Sequence, residues 1–454
     1  MTPQTDTNLA CTRQAGRTVV VGLGRTGLSC ARYLQSRGVA FAVTDSRSSP
    51  PGAAELQQLA PQAQVCFGGF DAALLDGATQ IVVSPGVSLR EPFLVDAVRR
   101  GLPIVGDIEL FARAAKAPIA AVTGTNGKST VTTLVAEMAQ AAGQRVLAGG
   151  NLGRPALELL DEPVPDLYVL ELSSFQLDTT QSLHTAAATV LNVTPDHMDR
   201  YATLADYAVS KARIFTNCDA AILNLDDVAV RGMADGAQRK LGFSLLRDPA
   251  ADYSVATQGD DVVLMHRNER IVAMSQLKIA GLHNAANALA ALAMSDALGL
   301  VRARAVQALR DFPGLPHRSQ WVADVGGVRY VDDSKGTNVG ATLAAVAGMA
   351  GSLVVIAGGQ GKGQDFAALA AAFRGKVRHV VLLGQDAKLV GAALQGVSTI
   401  EFARDMDEAV RMSAQAARPG ETVLLSPACA SLDMFRDYAH RGDVFAAAVR
   451  GLRS

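Results

Sequence analysis

The segment Ile119–Thr130 reads I-A-A-V-T-G-T-N-G-K-S-T. An apolar, β-branched run leads into a glycine-rich turn, a lysine and a hydroxyl residue. The spacing of Val131, Leu134, Val135 and Met138 then continues as a helix. A strand that feeds such a turn and a helix N-terminus presents backbone N–H groups and a dipole to an anion. On this reading Gly124, Thr125, Asn126, Gly127 and Thr130 cradle phosphates. Lys128 reaches the β- and γ-phosphates of a nucleotide, and the Ser129 hydroxyl holds Mg²⁺. The loop is shorter than G-x-x-x-x-G-K-[ST], because Val122 stands where the first glycine would be.

Short apolar runs ending in glycine or an acid recur on both sides of this segment, each followed by an Ala/Leu-rich helical pattern. Thr18–Gly24, Phe41–Asp45, Gln80–Gly86 and Pro103–Asp107 precede it. Leu167–Ser174, Ala187–Asp196 and Ala220–Asp227 follow it, and Leu353–Gly359, His379–Gln385 and Thr422–Ala428 form a last group. The alternation predicts α/β architecture with parallel sheets and helices on both faces. Tyr253–Met274 breaks the rhythm, with Gly259-Asp260-Asp261 and Arg267-Asn268-Glu269 predicting a small antiparallel meander. Gly106-Asp107 and the proline-bracketed Asp311–Pro316 read as linkers. Three domains are expected over 1–106, 107–314 and 315–454, with the third closing about Pro313–Pro316.

The 454 residues exceed one ordinary core, and 49% hydrophobic with 19% charged content marks a packed globular chain. A formal net charge of -1 with interspersed signs excludes a nucleic-acid footprint or a polybasic membrane patch. Cys11, Cys30, Cys66, Cys218 and Cys429 are scattered without C-x-x-C spacing, as expected of reduced cytosolic thiols without structural zinc. The first sixteen residues lack an apolar core, so no signal peptide is expected. No apolar run reaches membrane-spanning length, and a soluble, cytoplasmic protein is expected.

The acids and polar loops at strand ends are the candidate chemistry, since ligands of such sheets bind there. Gly22-Leu23-Gly24-Arg25-Thr26-Gly27 opens the first helix, and Asp45 follows as a ribose-binding acid should. This pattern alone fits NAD and another nucleotide equally. Arg47, beside Asp45 and Ser46, adds a cation for a phosphate or a base. Glu171 closes a strand beside the phosphate loop, where an acid commonly holds Mg²⁺; Ser173 and Gln176 follow it. His197 lies between Asp196 and Asp199 in N-V-T-P-D-H-M-D, in reach of a metal or substrate. Lys211, by spacing alone, is a solvated surface lysine. Asn284 and Asn287 share a helix face. His317-Arg318, Asp332–Asn338, Gly358–Gly363 and Ser426–Ser431 supply further polar loops, as for a second substrate held opposite the nucleotide.

With these motifs in this order, the chain resembles the Mur ligases of peptidoglycan synthesis from Gly22 to Phe445. T-G-T-N-G-K-S-T, E-L-S-S-F-Q-L, N-V-T-P-D-H-M-D-R, H-N-A-A-N-A, L-P-H-R, D-D-S-K-G-T-N and L-S-P-A-C-A-S-L-D carry the resemblance. It implies a three-domain ATP-dependent amide ligase with Rossmann-like outer domains and a P-loop ATPase-like centre. Such an enzyme phosphorylates the carboxylate of UDP-N-acetylmuramoyl-L-alanine; the amine of D-glutamate attacks the acyl phosphate, and the tetrahedral intermediate expels phosphate. The resemblance places UDP on Thr26, Asp45, Ser46, Arg47 and Gly86, which sets NAD aside, and further substrate on Asn151, Ser173 and Gln176. It places Mg²⁺, two ions in all, on Ser129, Glu171, His197 and a CO₂-derived carbamate of Lys211. Lys128, Glu171, His197 and Lys211 would be the catalytic set. The adenine nucleotide falls to Asn284, Asn287, Arg318 and Asp333, and D-glutamate to Thr337, Lys362, Ser431 and Leu432. A monomer is implied. Tyr438 stands where the family often has phenylalanine, and Pro195 stands where an acid is common. The D-N-P-R motif of the diamino-acid-adding ligases is missing. Folylpolyglutamate synthetases share the phosphate loop but not the UDP-binding first domain. An oxidoreductase leaves Lys128 unexplained, and a nucleotide sensor would bind Mg·ATP without turnover.

Overall fold

The computed structural model describes residues 16–234, 236–259, 261–279, 281–349 and 351–452. Cys11, Asp260 and the rest of the first fifteen residues lie outside the described residues. Three α/β sheets follow one another along the chain. The first is wholly parallel, in spatial order Gln64–Phe67, Phe41–Asp45, Arg17–Val21, Ala78–Val83, Ile104–Val105. Every residue of Arg17–Val21 is buried, as a central parallel strand covered on both faces requires.

The second sheet has nine strands and sets up the chemistry. Ile119–Thr123 lies between Leu167–Glu171 and Ala187–Val190, all parallel. The phosphate loop, Glu171 and the loop 191–197 therefore leave the same sheet edge side by side. The expected meander is present as Tyr253–Gln258, Asp261–His266 and Glu269–Ala273, antiparallel throughout. It does not stand apart: Tyr253 pairs parallel with Phe243, so the meander extends the sheet. The third sheet has six strands, with Gln320–Val325 as its antiparallel edge. No helix among the described residues is long and apolar enough to cross a membrane.

Packing joins the first two sheets more closely than the third. One apolar cluster runs from Val20 and Leu34 through Ile108 and Phe111 to Tyr168 and Leu170. Phe111 and Tyr168 meet edge to face at 5.1 Å. The third sheet keeps two apolar clusters of its own. Its ties to the central domain are the segment 311–316, a set of polar contacts and the helix Val339–Gly348, which packs against the helix Leu282–Ala297.

Asp107 sits within the shared core, at the start of the helix Asp107–Ala114. It is 1% exposed, Oδ2 accepts from Gln176 Nε2 at 2.9 Å, and Oδ1 has no donor. Burial pushes its pKa from 3.8 up to about 6, against the Gln176 amide and the helix N–H groups. A carboxyl that is harder to ionise folded than unfolded loses stabilisation as pH rises through that interval. The melting temperature of Asp107→Asn relative to the parent should therefore shift in the variant's favour between pH 4 and 7. The shift should correspond to at most about 3 kcal/mol. A difference that stays flat with pH would show that Asp107 does not ionise at this cost.

Candidate functional site

The phosphate loop has the backbone that its glycines allow. Gly124 and Gly127 have φ of 146° and 86°, and Gly127 begins the helix Lys128–Ala141 with no side-chain cap. A Cβ on Gly127 would lie 2.4 Å from Asn287 Oδ1, so the close approach of the Asn284–Asn287 helix needs glycine there. Asn126 is clamped from below: its N–H donates to Asn192 Oδ1 at 2.8 Å and its carbonyl accepts from Asn192 Nδ2 at 3.1 Å. Lys128 Nζ donates to the carbonyls of Gly124 and Thr125, at 3.0 and 2.8 Å.

A cleft above this loop is lined from all three sheets, by Gly86 of the first, the phosphate loop of the second and Arg318, Thr337 and Lys362 of the third. Asn151, Glu171, Ser173, His197 and Lys211 also face it. Glu171 is 3% exposed; Oε1 accepts from Asn151 Nδ2 at 2.6 Å, and Oε2 is a buried acceptor without a donor. Burial pushes its pKa up, but Lys128, Ser129, Asn151 and Arg318 outweigh that and hold it below the usual range. Arg318 Nη2 donates to Ser129 Oγ at 2.8 Å, tying the third domain to the phosphate loop of the second. Burial holds His197 below its usual pKa; the residue is in a left-handed conformation with φ 58° and its ring is 4.9 Å from Phe175.

The spacing-based placement of Lys211 on the solvated surface is corrected here. On the helix Leu204–Ala212 it is 1% exposed, donates to Gly124 O at 2.8 Å and lies 4.4 Å over the Tyr207 ring. Burial, and then the Lys128 charge, lower its pKa well below that of a free lysine. The helix turns this residue inward because Tyr207, one turn earlier, also packs inward.

An adjoining cavity is lined by Gly127, Thr130, Asn284, Asn287, Arg318 and Asp333. Asn287 Nδ2 donates to Asn284 Oδ1 at 3.2 Å, confirming the shared face. Burial raises Asp333 to about 7, although Ser426 Oγ and the Ser319 N–H donate to it at 2.9 and 3.0 Å.

Other expected residues stand elsewhere. Thr26, Asp45, Ser46 and Arg47 lie at the first sheet, away from the cleft. Asp45 accepts from Leu23 N at 2.6 Å and from Arg47 Nη2 at 2.7 Å, and the Arg47 guanidinium holds its pKa down to about 2 despite partial burial. Gln176 is turned into the protein, with one end of its amide on Asp107 and the other on Ser173. Ser431 is buried, and Leu432 is 69% exposed.

Several residues in the cleft or bordering it carried no assignment from sequence. Lys335 lies 3.7 Å over the Tyr438 ring, and burial followed by Arg318 lowers it to about 7. Asp196, 7% exposed, accepts from the His197 N–H and Asn338 and faces Lys362 at 3.7 Å. Arg200 donates to the carbonyls of Gly86 and Val87, at 3.3 and 3.0 Å, and so pins the first domain's loop to the second. The only available signals were membership in D-D-S-K-G-T-N and N-V-T-P-D-H-M-D-R. Because Gly127 must be left-handed and Cβ-free, Gly127→Ala should weaken binding of a Mg·ATP analogue by about tenfold or more. Calorimetric affinity equal to the parent's would contradict this loop geometry.

Comparison with known proteins agrees with this order of parts. The Mur ligase MurD-like N-terminal domain matches residues 16–106, the Mur ligase middle domain 122–295, and the Mur ligase glutamate ligase domain 317–429. A UDP-N-acetylmuramoylalanine–D-glutamate ligase of Nitrosococcus oceani is 52% identical over 97% of this chain and 98% of its own. Ligases of the same name from Methylobacillus flagellatus and Hahella chejuensis are 51% and 49% identical, over 96% and 95% of this chain and 97% and 98% of theirs. Among solved structures, the UDP-N-acetylmuramate-alanine ligase of Thermotoga maritima shares the fold, with TM-score 0.61 at 19% identity over 96% of this chain and 99% of that one. A pseudomurein peptide ligase of Methanothermus fervidus does so with TM-score 0.60 at 16% identity, covering 96% and 100%. Three domain matches in the order of the three sheets, with relatives at about half identity along nearly the whole length, show that the chain belongs to the Mur ligase family.

Proposed function

We infer that this chain is an ATP-dependent ligase that joins D-glutamate to UDP-N-acetylmuramoyl-L-alanine in peptidoglycan precursor synthesis. The observation that carries this reading is the convergence of Lys128, Arg318 and Lys362 on one cleft that also receives Gly86 from the first sheet. A phosphate donor, an acceptor carboxylate and an amino acid can meet only where all three domains contribute. The relatives named above bear the same activity in their names.

ATP lies with its phosphates on Gly124–Thr130 and its base between Asn284, Asn287, Arg318 and Asp333. UDP lies on Thr26, Asp45, Ser46, Arg47 and Gly86, where the helix Arg25–Ser36 has an uncapped N-terminus to offer an anion. Asn151 and Ser173 guide the alanyl carboxylate, and Gln176 supports Ser173 from behind. Thr337, Lys362, Ser431 and Leu432 receive D-glutamate. A carboxylate oxygen of the alanyl group bonds the γ-phosphorus as the bond to the β-phosphate oxygen breaks, releasing ADP. The neutral amine of D-glutamate then bonds the acyl carbon, phosphate leaves with the C–O electron pair, and the new amide nitrogen gives up one proton to solvent or the departing phosphate. Lys128 and Arg318 offset the charge that separates two mutually repelling anions.

The donor-free Oε2 of Glu171 and the Ser129 hydroxyl are hard oxygen donors that suit Mg²⁺; His197 would add a nitrogen ligand, and a carbamate on Lys211 would provide for a second ion. Bound there, Mg²⁺ supplies charge neutralisation at the phosphoryl oxygens. The buried, readily deprotonated Nζ of Lys211 forms an N–C bond with CO₂ and loses one proton, exchanging a cation for a carboxylate. We infer a monomeric, cytoplasmic enzyme, supported by a cleft that residues of all three domains of one chain line and by the nucleotide nature of both proposed substrates.

Phosphate release should require ATP, Mg²⁺, UDP-N-acetylmuramoyl-L-alanine and D-glutamate together, with L-glutamate, L-alanine and meso-diaminopimelate inactive. Release with one of those instead would assign the chain to a sister step, and release with none would end the ligase reading. Lys211→Ala should lose activity that short carboxylic acids partly restore; an active, unrescued variant would remove the carbamate.

A further inference from the structure

We propose that Asn338, with the helix turn it caps, is a latch by which the third domain docks on the nucleotide-binding loop, making Asn338 a positioning residue that couples that loop to D-glutamate capture. The proposal builds on the ligase reading for the identity of the amino acid. Asn338 is 3% exposed, and its carboxamide makes four contacts. Its Oδ1 accepts from Ala341 N at 2.8 Å, capping the helix Val339–Gly348, and from Asn126 Nδ2 at 3.4 Å. Its Nδ2 donates to Asn126 Oδ1 at 3.2 Å and to Asp196 Oδ2 at 3.3 Å.

The cap alone does not call for asparagine, because aspartate or serine caps as well. The second half of the amide is what reaches across the domain boundary. Asn126 is fixed to the central sheet through both of its backbone groups, so its side chain offers a stationary donor and acceptor. Gly340 fits the same docking. A Cβ there would lie 2.9 Å from Thr194 Oγ1, although the glycine is inside a helix where alanine is intrinsically favoured. Thr337 immediately precedes Asn338, and Lys335 lies two residues earlier, so undocking this turn withdraws both from the cleft. Lys362, facing Asp196, is carried by the same domain.

Asn338→Asp keeps size, shape and cap but sets a carboxylate against Asp196. Gly340→Ala removes no hydrogen bond and opposes docking by bulk alone. Small-angle scattering of the full chain, with and without Mg·AMP-PNP, should show contraction in the parent and little in either variant. The KM for D-glutamate should rise about tenfold or more in both, while that for the UDP-linked substrate stays within about twofold. Thermal melting should show both variants folded. A parent that does not contract, variants that contract as it does with unchanged D-glutamate KM, or equal rises for both substrates would overturn the latch. A parent that contracts without D-glutamate-dependent turnover would instead fail the ligase reading, and the scattering comparison would still decide the latch.

Discussion

Excess positive charge in a partly dehydrated cleft is the constraint on which the remaining structure depends. Lys128, Arg318, Lys335 and Lys362, with the readily deprotonated Lys211 beside them, face one space in which Glu171 and Asp196 are the acids among the described residues. Burial lowers the pKa of Lys128, Lys211 and Lys335, and neighbouring cations add to the effect in each case. Such an arrangement is unfavourable by itself and becomes favourable when anions enter, because charges attract more strongly where water is excluded. A triphosphate and the carboxylates of two substrates are the anions that the family chemistry brings.

The fold distributes these charges over bodies that can separate. Lys128 and Lys211 belong to the central sheet, which shares a core with the first. Arg318, Lys335 and Lys362 belong to the third, whose apolar clusters are its own and which meets the centre through polar contacts and one helix face, Val339–Gly348 against Leu282–Ala297. Polar contacts of this kind exchange readily with water, so docking can respond to ligand charge. The first domain contributes least to the cleft, through Pro85 and Gly86, in keeping with the proposal that it holds the UDP end of a long substrate.

Much of this was legible in the sequence, because β-branched runs ending in glycine or an acid mark buried parallel strands. The strands that escaped notice lack that mark. Gln64–Phe67 and Thr399–Phe402 are edge strands with largely unburied residues, and Val146–Gly150 ends in two glycines. The phosphate loop, Glu171, His197 and the Asn284–Asn287 pair stood out because each sits at a strand end or helix start. Lys211 did not, since periodicity reports which face of a helix is apolar and a lysine buried over Tyr207 contributes nothing to that signal. Asn338 was hidden differently: one half of its amide does an ordinary capping task, and only the tertiary structure shows where the other half points.

The central claim is that the cleft activates a carboxylate by phosphorylating it before the amine attacks. The direct measurement uses UDP-N-acetylmuramoyl-L-alanine carrying ¹⁸O in its alanyl carboxylate, with mass spectrometry of the released phosphate. An acyl phosphate formed here transfers one labelled oxygen to phosphate for each product molecule. Phosphate without label, released in step with product, would contradict the account.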